Sequence, residues 1–190
     1  ILKKGCHQAK QWLDVGSPVR MAINVSAHQF RQLDFTQIVA DILKESELPP
    51  YLLELELTES VIMSDAEENI ARLIELKSLG ISLAVDDFGT GYSSLSYLKR
   101  FPIDILKIDR SFMCDINSAP NDIAIVEAIL ALAESLKLGV IAEGVEYTSQ
   151  INILQNTKNL LLQGYLFSRP VTAEYISPLL QQDFNHLMPK

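Results

Sequence analysis

Cysteine and histidine are scarce in this chain, and their scarcity limits the kinds of site it can contain. The 190 residues include two cysteines and three scattered histidines. Cys6 and Cys114 lie far apart and belong to no Cys-x-x-Cys pattern, so we expect buried, reduced thiols rather than a disulfide or a zinc site. A histidine-based metal centre or a Ser-His-Asp triad has little support. A site of oxygen ligands for Mg²⁺ or Mn²⁺ fits the composition better.

Positive charge and long apolar runs are also in short supply. The net charge of -8 and the isoelectric point of about 4.9 argue against binding to a nucleic-acid polymer, although a small phosphate ligand is compatible if metal ions offset the repulsion. The most apolar stretch, residues 123–133, is interrupted by Glu127 and followed by Glu134, so we expect no membrane insertion. No signal peptide is visible. The expected location is the cytoplasm, which includes the cytoplasmic side of a larger, membrane-attached protein.

The hydrophobic pattern predicts one α/β domain, residues 1–190, that ends in a polar tail at residues 182–190. Short apolar or alternating segments predict strands, and helical patterns lie between them, with Gly80 and Gly139 as the expected C-terminal caps of two helices. This alternation indicates parallel strands joined by right-handed helical crossovers. The predicted strands are residues 21–25, 52–57, 81–85, 105–108, 140–142 and 161–166. The predicted helices are residues 35–47, 65–79, 93–99, 122–137, 149–155 and 174–181.

Two architectures are compatible with this order, an open doubly wound sheet and a (β/α) barrel. No glycine-rich dinucleotide fingerprint follows any strand, which weakens the first. Polar residues such as Asp86, Lys107 and Glu143 recur near the C-terminal ends of the strands, where barrels keep their chemistry. The chain begins inside a helical pattern and supplies about six of the usual eight strands. We therefore expect an incomplete TIM-like barrel that lacks its first strands.

Two adjacent aspartates, Asp86 and Asp87, end a strongly apolar strand and lead into a glycine-containing loop, residues 88–94. Neighbouring carboxylates repel each other and are costly to desolvate, so a bound cation is the first hypothesis. For an isolated pair, a helix cap beside a solvated neighbour would be the better explanation. Here other polar groups follow neighbouring strands. The candidate groups are Asn24, Glu56, Glu59, Asp86, Asp87, Lys107, Glu143, Glu146 and Gln163.

The types of residue in this set suggest what each could do. Asparagine and carboxylate oxygens are the ligands that Mg²⁺ and Mn²⁺ prefer. Lys107 suits a phosphate oxygen or the surroundings of an attacking water, and Glu143 can bind a metal or accept a proton. Taken singly, Lys107 fits a strand-end salt bridge, Asn24 a turn former and Gln163 a satisfied amide. Their joint placement favours a functional site.

These residues occur in the order and approximate spacing of the EAL-domain family, which the chain resembles from residue 1 to about residue 181. The run from Asp86 to Ser94 is the most specific part of the resemblance. The motifs that carry it are Asn24-Val25-Ser26, Glu56-Leu57-Thr58-Glu59-Ser60, Asp86-Asp87-Phe88-Gly89-Thr90-Gly91-Tyr92-Ser93-Ser94-Leu95, Lys107-Ile108-Asp109, Glu143-Gly144-Val145-Glu146 and Gln163-Gly164-Tyr165.

The resemblance implies a modified (β/α)8 barrel that hydrolyses the bacterial second messenger cyclic di-GMP to linear pGpG with Mg²⁺ or Mn²⁺ at two metal sites. It also implies a role for each matching residue. Asn24, Glu56 and Asp86 resemble ligands of one metal; Asp86, Asp87 and Glu143 surround a second; Glu143 is the general base; Lys107 lies near the attacking water; Gln163 contacts substrate or water; Glu59 and Glu146 order loops or support the ligands.

The Glu-Ala-Leu signature of the family is absent, because it belongs to a strand that would precede Ile1. Glu127-Ala128-Ile129 falls in a predicted helix and cannot replace it. An alternative is therefore a catalytically inactive EAL domain that acts as a cyclic di-GMP receptor or a protein-interaction module. A barrel lyase with Lys107 as a Schiff-base nucleophile is disfavoured, because surrounding carboxylates keep a lysine protonated. Expected partners are cyclic di-GMP, a second copy of the chain, and sensory or GGDEF-type domains in the parent protein.

Overall fold

The computed structural model describes residues 1–91, 94–114, 116, 119–154, 160–184 and 187. Within these residues, six strands form one sheet in chain order. The pairings β1–β2, β4–β5 and β5–β6 are parallel, as the alternation of strands and helices predicted. The strands are β1 (Met21–Asn24), β2 (Leu53–Thr58), β3 (Ser82–Phe88), β4 (Ile105–Ile108), β5 (Gly139–Ala142) and β6 (Leu160–Leu162).

Each of the six predicted strands is present, and two of them, β3 and β6, end more than one residue away from the predicted position. Strand β3 continues through Asp86 and Asp87 to Phe88, whereas the prediction ended it at residue 85. Strand β6 ends at Leu162, so Gln163 follows the strand instead of lying within it. The prediction of a longer β6 was wrong because apolar residues resume at Tyr165 and Leu166, after Gln163 and Gly164, although the chain turns there.

Ten α-helices lie among the described residues, and six of the ten match the predicted set. The helix that precedes β1 agrees with the helical pattern noted at the start of the chain. Three short helices, α2, α4 and α7, were missed because four or five residues are too few to show a helical period. The helices are α1 (Leu2–Asp14), α2 (Ala27–Phe30), α3 (Phe35–Ser46), α4 (Glu59–Met63), α5 (Ala66–Ser78), α6 (Leu95–Leu98), α7 (Arg110–Cys114), α8 (Pro120–Leu136), α9 (Thr148–Leu154) and α10 (Ala173–Leu179).

Some predicted features fall outside the described residues. These are Tyr92 and Ser93 of the glycine-containing loop, Gln155 at the end of a predicted helix, and residues 185, 186 and 188–190 of the polar tail. Within the described part of the chain, no helix combines the length and the apolar character that crossing a membrane requires.

The chain divides into two compact units, each with its own apolar packing. The first comprises Ile1–Val85 and Ser93–Asp104, and the second comprises Asp86–Tyr92 and Ile105–Lys190. In the first unit, α1 packs against α3 and β1, and β2 is buried along both faces. Strand β2 was recognisable because leucine alternates with glutamate along it, which is the period-two pattern of a strand. The core residues of this unit include Val39, Leu43, Leu53, Leu55, Leu57, Leu73 and Leu76.

An ion pair holds the beginning of β3 in the first unit. The ammonium group of Lys77 lies 2.8 Å from both carboxylate oxygens of Asp104 and donates to the carbonyl of Ile81 at 3.0 Å. Asp104 Oδ2 also accepts a hydrogen bond from the backbone N–H of Leu83 at 2.8 Å. These contacts connect the end of α5, the start of β3 and the residue that precedes β4.

In the second unit, strands β4 and β5 pack against α8. All four residues of β4 are buried, and α8 contributes Val126, Ile129 and Ala133 to the same core. Helix α7 packs on α8 through the buried Met113. The C-terminal ends of β4 and β5 therefore lie on a well-packed base, which can hold polar side chains in fixed positions.

The two cysteines are both free, but they differ in exposure. Cys6 is buried in α1, and burial raises the pKa of its thiol to about 11. Cys114, the last residue of α7, is exposed. The prediction of two buried thiols was therefore wrong for Cys114, because its preceding neighbour Met113 occupies the inward face of this short helix.

Helix α8 ends with an unusual left-handed residue. Lys137 has φ of 60°, and the backbone N–H of Leu138 donates to the carbonyl of Ala133 at 2.9 Å. Gly139, the expected cap, instead begins β5. The other expected cap, Gly80, follows α5 with φ of 86° and donates its N–H to the carbonyl of Lys77. The end of α8 thus carries a left-handed lysine where glycine would be unstrained.

We predict that Lys137→Gly stabilises the protein. The free energy of unfolding should rise by about 0.5–1 kcal/mol, because glycine reaches the left-handed region without a Cβ clash. Lys99 is the matched control, since it ends α6 with an ordinary φ of -61°. Lys99→Gly should lower the same free energy by about 0.5–1 kcal/mol in urea-induced unfolding. Changes of the same sign at both lysines would contradict this explanation.

Candidate active site

A buried lysine forms the centre of the candidate site in the second unit. Lys107 lies in β4 and is 2% exposed. Its ammonium nitrogen is 3.0 Å from Asp86 Oδ1 and 2.7 Å from Glu143 Oε1. A charge buried this deeply is tolerated when it is paired and hydrogen-bonded. The structure thus brings together three of the residues that the sequence singled out.

Strand register explains how these side chains meet. In the β4–β5 pair, Lys107 is opposite Ile141 and Ile108 is opposite Ala142. Glu143 follows β5 directly, and its backbone N–H donates to the carbonyl of Ile108 at 3.2 Å. The parallel pairing therefore continues one residue beyond the strand and places the Glu143 carboxylate beside the Lys107 ammonium.

Asp87 has both a strained backbone and an unfavourable charge environment. Its φ is 54°, a left-handed value that aspartate tolerates better than most residues, and its N–H donates to Asp86 Oδ1 at 3.1 Å. Burial, followed by the negative charges of Asp86 and Asp109, raises the pKa of the Asp87 carboxyl group. Backbone strain of this kind is often found at functional sites. A cation bound among crowded carboxylates also lowers the free energy of the folded protein, because it reduces their mutual repulsion.

Asp109 belongs to the same group of acids, although the sequence analysis gave it no role. Its Oδ1 accepts a hydrogen bond from the backbone N–H of Ser111 at 2.9 Å. Burial opposes ionisation, but hydrogen bonds from Ser111 outweigh it and lower the pKa of Asp109. Because Asp109 lies two positions after Lys107, the alternation along β4 could have indicated it.

A cavity of about 170 Å³ adjoins Glu143. Two further predicted residues, Glu146 and Gln163, line it together with Glu143, so the structure brings these three together. Arg110 and Tyr165, which were not predicted as site residues, line it too. Its lining residues are Arg110, Glu143, Gly144, Glu146, Gln163, Gly164 and Tyr165.

Arg110 lines this cavity beside the carboxylates, and Arg169 contacts the lining residue Tyr165. Hydrogen bonding to Cys114 and the charge of that group, followed by the charge of Glu146, raise the pKa of Arg110. The guanidinium carbon of Arg169 lies 4.6 Å from the centre of the Tyr165 ring, a cation–π contact. The cavity wall therefore combines a guanidinium group, an aromatic ring and two carboxylates.

Glycines allow the segments around the cavity to approach each other closely. Gly144 has φ of 72°, and a Cβ placed there would lie 2.8 Å from Cβ of Arg110. At Gly164 a Cβ would lie 2.0 Å from the carbonyl oxygen of Val145. No side chain fits at that distance. Glycine is therefore required by packing at positions 144 and 164.

The remaining predicted residues lie in the first unit. Asn24 is exposed at the end of β1 and is opposite the buried Glu56 of β2, whose carbonyl accepts the N–H of Val25 at 2.9 Å. Glu59 is buried and begins α4. Glu54 lies two positions before Glu56 and accepts a hydrogen bond from Arg20 at 3.2 Å. Convergence of Asn24 and Glu56 with Asp86 and Asp87 stays a prediction.

The chemistry of these donors fits a hard divalent cation. Buried carboxylates and an amide oxygen follow parallel strands, and Mg²⁺ and Mn²⁺ favour such oxygen ligands. As the described side chains are placed, no three acidic, histidine or cysteine residues are grouped closely enough to enclose an ion. Between Asp86 and Glu143, it is the Lys107 ammonium that supplies the positive charge.

We predict that Lys107→Met strongly destabilises the chelator-treated protein. The free energy of unfolding should fall by about 3–5 kcal/mol, because the change leaves Asp86 and Glu143 as buried charges without their cation. Lys77→Met is the control, since its pair with Asp104 is only half-buried, and should lower this free energy by about 1–2 kcal/mol. Urea-induced unfolding measures both. Equal losses would show that burial adds nothing to the Lys107 pairs.

Comparisons with known proteins agree with the motifs. A model of the EAL domain matches residues 1–170. The signaling protein YkoW of Bacillus subtilis is 47% identical over 174 residues, which are 92% of this chain and 22% of YkoW. The cyclic di-GMP phosphodiesterase NbdA of Pseudomonas aeruginosa is 40% identical over 182 residues, 95% of this chain and 23% of NbdA. The chain thus spans less than a quarter of the length of these curated relatives.

Solved structures give the same result for the fold. The PaMucR phosphodiesterase in its c-di-GMP complex matches with a TM-score of 0.89 at 43% identity, covering 92% of this chain and 71% of that one. The manganese/cy-diGMP complex of Klebsiella pneumoniae BlrP1 matches with a TM-score of 0.80 at 34% identity, covering 90% of this chain and 43% of that one. The predicted α/β fold of the TIM-like barrel type, with about six strands, is confirmed.

Proposed function

The chain belongs to the EAL domain family, and on that premise we propose that it hydrolyses cyclic di-GMP to linear pGpG in bacterial signal transduction. The observation that supports this best is the buried Lys107, paired with Asp86 at 3.0 Å and with Glu143 at 2.7 Å where strands end. A fixed cation beside carboxylates suits attack of water on a phosphodiester, in which negative charge grows on the phosphate oxygens.

Each catalytic residue has a role that its surroundings support. Glu143 accepts the proton of the attacking water, and Lys107 holds both that carboxylate and the growing negative charge in place. Glu143 is only partly exposed, with 17% of its side chain accessible, so its carboxylate can reach a ligand in the cavity. With Glu143 as the proton acceptor, hydrolysis near neutral pH does not require a histidine in that role.

A divalent metal is the proposed cofactor, either Mg²⁺ or Mn²⁺. Asn24, Glu56 and Asp86 would hold one ion, and Asp86, Asp87 and Glu143 a second. When bound, such ions neutralise phosphate charge and ease deprotonation of water. The crowding that raises the pKa of Asp87 supports this assignment, as does the manganese complex of the similar BlrP1 structure.

Three further residues have supporting roles in this proposal. Gln163 contacts substrate or water with its amide, for which its place beside Glu143 in the cavity wall is suitable. Glu146 lines the same cavity and supports the ligands. Glu59, buried at the beginning of α4, orders the loop at residues 87–94.

The partners of the chain follow from its relatives. Because it spans 22% of YkoW and 23% of NbdA, we propose that sensory or GGDEF-type domains accompany it in a longer protein. Cyclic di-GMP is the proposed ligand, because the similar PaMucR structure is a c-di-GMP complex. A cytoplasmic location and a homodimer belong to the same proposal.

We predict that Glu143→Gln in the full-length protein lowers hydrolysis of cyclic di-GMP about a hundredfold or more, because it removes the proton acceptor and a negative ligand while preserving shape. Glu134→Gln is the control, since Glu134 is exposed on α8. Formation of pGpG, separated by chromatography, measures both variants. Unchanged turnover in the Glu143 variant would exclude its assigned role.

Binding measurements on the same proteins separate an enzyme from a receptor. An enzyme should bind cyclic di-GMP and convert it, and its Glu143 variant should bind without conversion. If the unchanged full-length protein binds the dinucleotide and releases it intact at all metal concentrations, the inactive-receptor alternative is correct and the proposed hydrolysis is wrong.

We predict that Glu56→Gln raises the Mg²⁺ or Mn²⁺ concentration required for half-maximal hydrolysis by about 10- to 100-fold, because one anionic ligand is lost. Glu54→Gln should leave this concentration unchanged. Both glutamates are buried on the same face of β2, but Glu54 pairs with Arg20 before the end of the strand. Chelation should abolish activity in every variant. Equal metal requirements in the two variants would remove Glu56 from the ligand set.

A further inference from the structure

A buried glutamine outside the predicted site fastens a segment that carries two of its carboxylates. Gln150 lies in α9 and is 1% exposed. Its Oε1 accepts hydrogen bonds from the backbone N–H groups of Glu146 at 2.7 Å and Tyr147 at 2.8 Å. Its Nε2 donates to the backbone carbonyl of Met113 at 2.6 Å. Both ends of the amide are therefore occupied by main-chain groups.

The side-chain amide of Gln150 connects two parts of the chain, helix α7 and the segment that follows β5. Met113 lies in α7, the helix that follows the strand holding Lys107. Residues 143–147 form the segment after β5, and Glu143 begins it. Through Gln150, the segment after β5 is thus tied to the helix after β4. Strands β4 and β5, which precede these two elements, are themselves paired in the sheet.

Other contacts fix the first part of the segment, and at its end the carbonyl of Tyr147 accepts the backbone N–H of Gln150 at 3.1 Å. Gly144 packs against Arg110, where an added Cβ would lie 2.8 Å from the arginine Cβ. The N–H of Val145 donates to the carbonyl of Gln163 at 3.0 Å. The last two residues of the segment have their N–H groups bound by Gln150. Removal of that amide leaves two main-chain donors and one acceptor with weaker constraints.

We propose that Gln150 is a positioning residue for the hydrolytic reaction. By holding residues 143–147 against α7, it maintains the 2.7 Å contact between Glu143 and Lys107 and keeps Glu146 in the cavity wall. Its side chain bonds main-chain groups, so it affects the site by fixing the backbone. The inference rests on the proposed function, because positioning affects a rate only if Glu143 takes part in the reaction. A misplacement of about 1 Å can slow a reaction about a hundredfold.

The first test is Gln150→Met in the full-length protein, which keeps the side-chain length and removes all three hydrogen bonds. We expect kcat for cyclic di-GMP hydrolysis to fall about tenfold or more, with KM changed less than about threefold, because substrate contacts stay in place. Gln11→Met is the matched control on the exposed face of α1 and should change neither constant. A normal kcat in a folded Gln150→Met variant would overturn the proposal.

The second test is a rescue by Gln150→Glu. A protonated carboxyl group reproduces the glutamine amide, since its carbonyl accepts both N–H groups and its hydroxyl donates to Met113. The ionised form instead turns an oxygen toward that carbonyl. The ratio of kcat for this variant to kcat for the unchanged protein should therefore fall as pH rises through the pKa of the introduced carboxyl group, which burial raises and the two main-chain N–H donors lower. A ratio that stays constant as that carboxyl group ionises would also overturn the proposal.

Amide hydrogen exchange provides a readout that does not depend on activity. The N–H groups of Glu146 and Tyr147 should exchange at least about tenfold faster in Gln150→Met, while core amides of β4 keep their protection. Lack of hydrolysis by the unchanged protein would refute the proposed function, and exchange would then show whether Gln150 fixes the segment. Unaltered exchange at both amides would refute the positioning role itself.

Discussion

The buried ammonium group of Lys107 is the constraint on which the candidate site depends. A lysine that is 2% exposed requires negative partners, and it has them in Asp86 and Glu143. Those partners are Asp86, near the end of β3, and Glu143, directly after β5, so both must keep their positions beside β4 for the charge to stay neutralised. The apolar packing of α7 and α8 under β4 and β5 supplies that rigidity. Charge pairing and core packing in the second unit therefore support each other.

The strands were predictable because their signal is local. Strand β4 occupies the predicted residues 105–108, and β2 shows the alternation of leucine and glutamate that predicts a strand. Short runs bounded by polar or turn residues are sufficient for such predictions. The short helices gave no comparable signal. Helix α2 is fixed by the capping box of Ser26 and Gln29, a two-residue feature that is easily overlooked.

The site was predictable in its residue types, but its supports were not. Asp86 and Lys107 lie in apolar strands and Glu143 directly follows one, so all three are conspicuous in the sequence. Gln150 looks like any polar residue of a helix, and its partner Met113 is 37 positions away. The requirement for glycine at position 164 is equally invisible in the sequence, because the Val145 carbonyl that excludes a side chain there belongs to a different segment. Long-range contacts of this kind depend on the complete fold, which local patterns do not encode.

Asp87 is held in an unfavourable conformation and charge environment by the stability that the core provides. Its left-handed backbone and the raised pKa of its carboxyl group both oppose the ionised, folded form. A ligand cation that binds the native carboxylates would relieve this repulsion and would stabilise the folded chain, because the unfolded chain lacks the arrangement. The same acids that make the site unfavourable alone would thus give it the affinity for a cation that the proposed function requires. Packing around β4 and β5 is what keeps Asp109 and Glu143 in place.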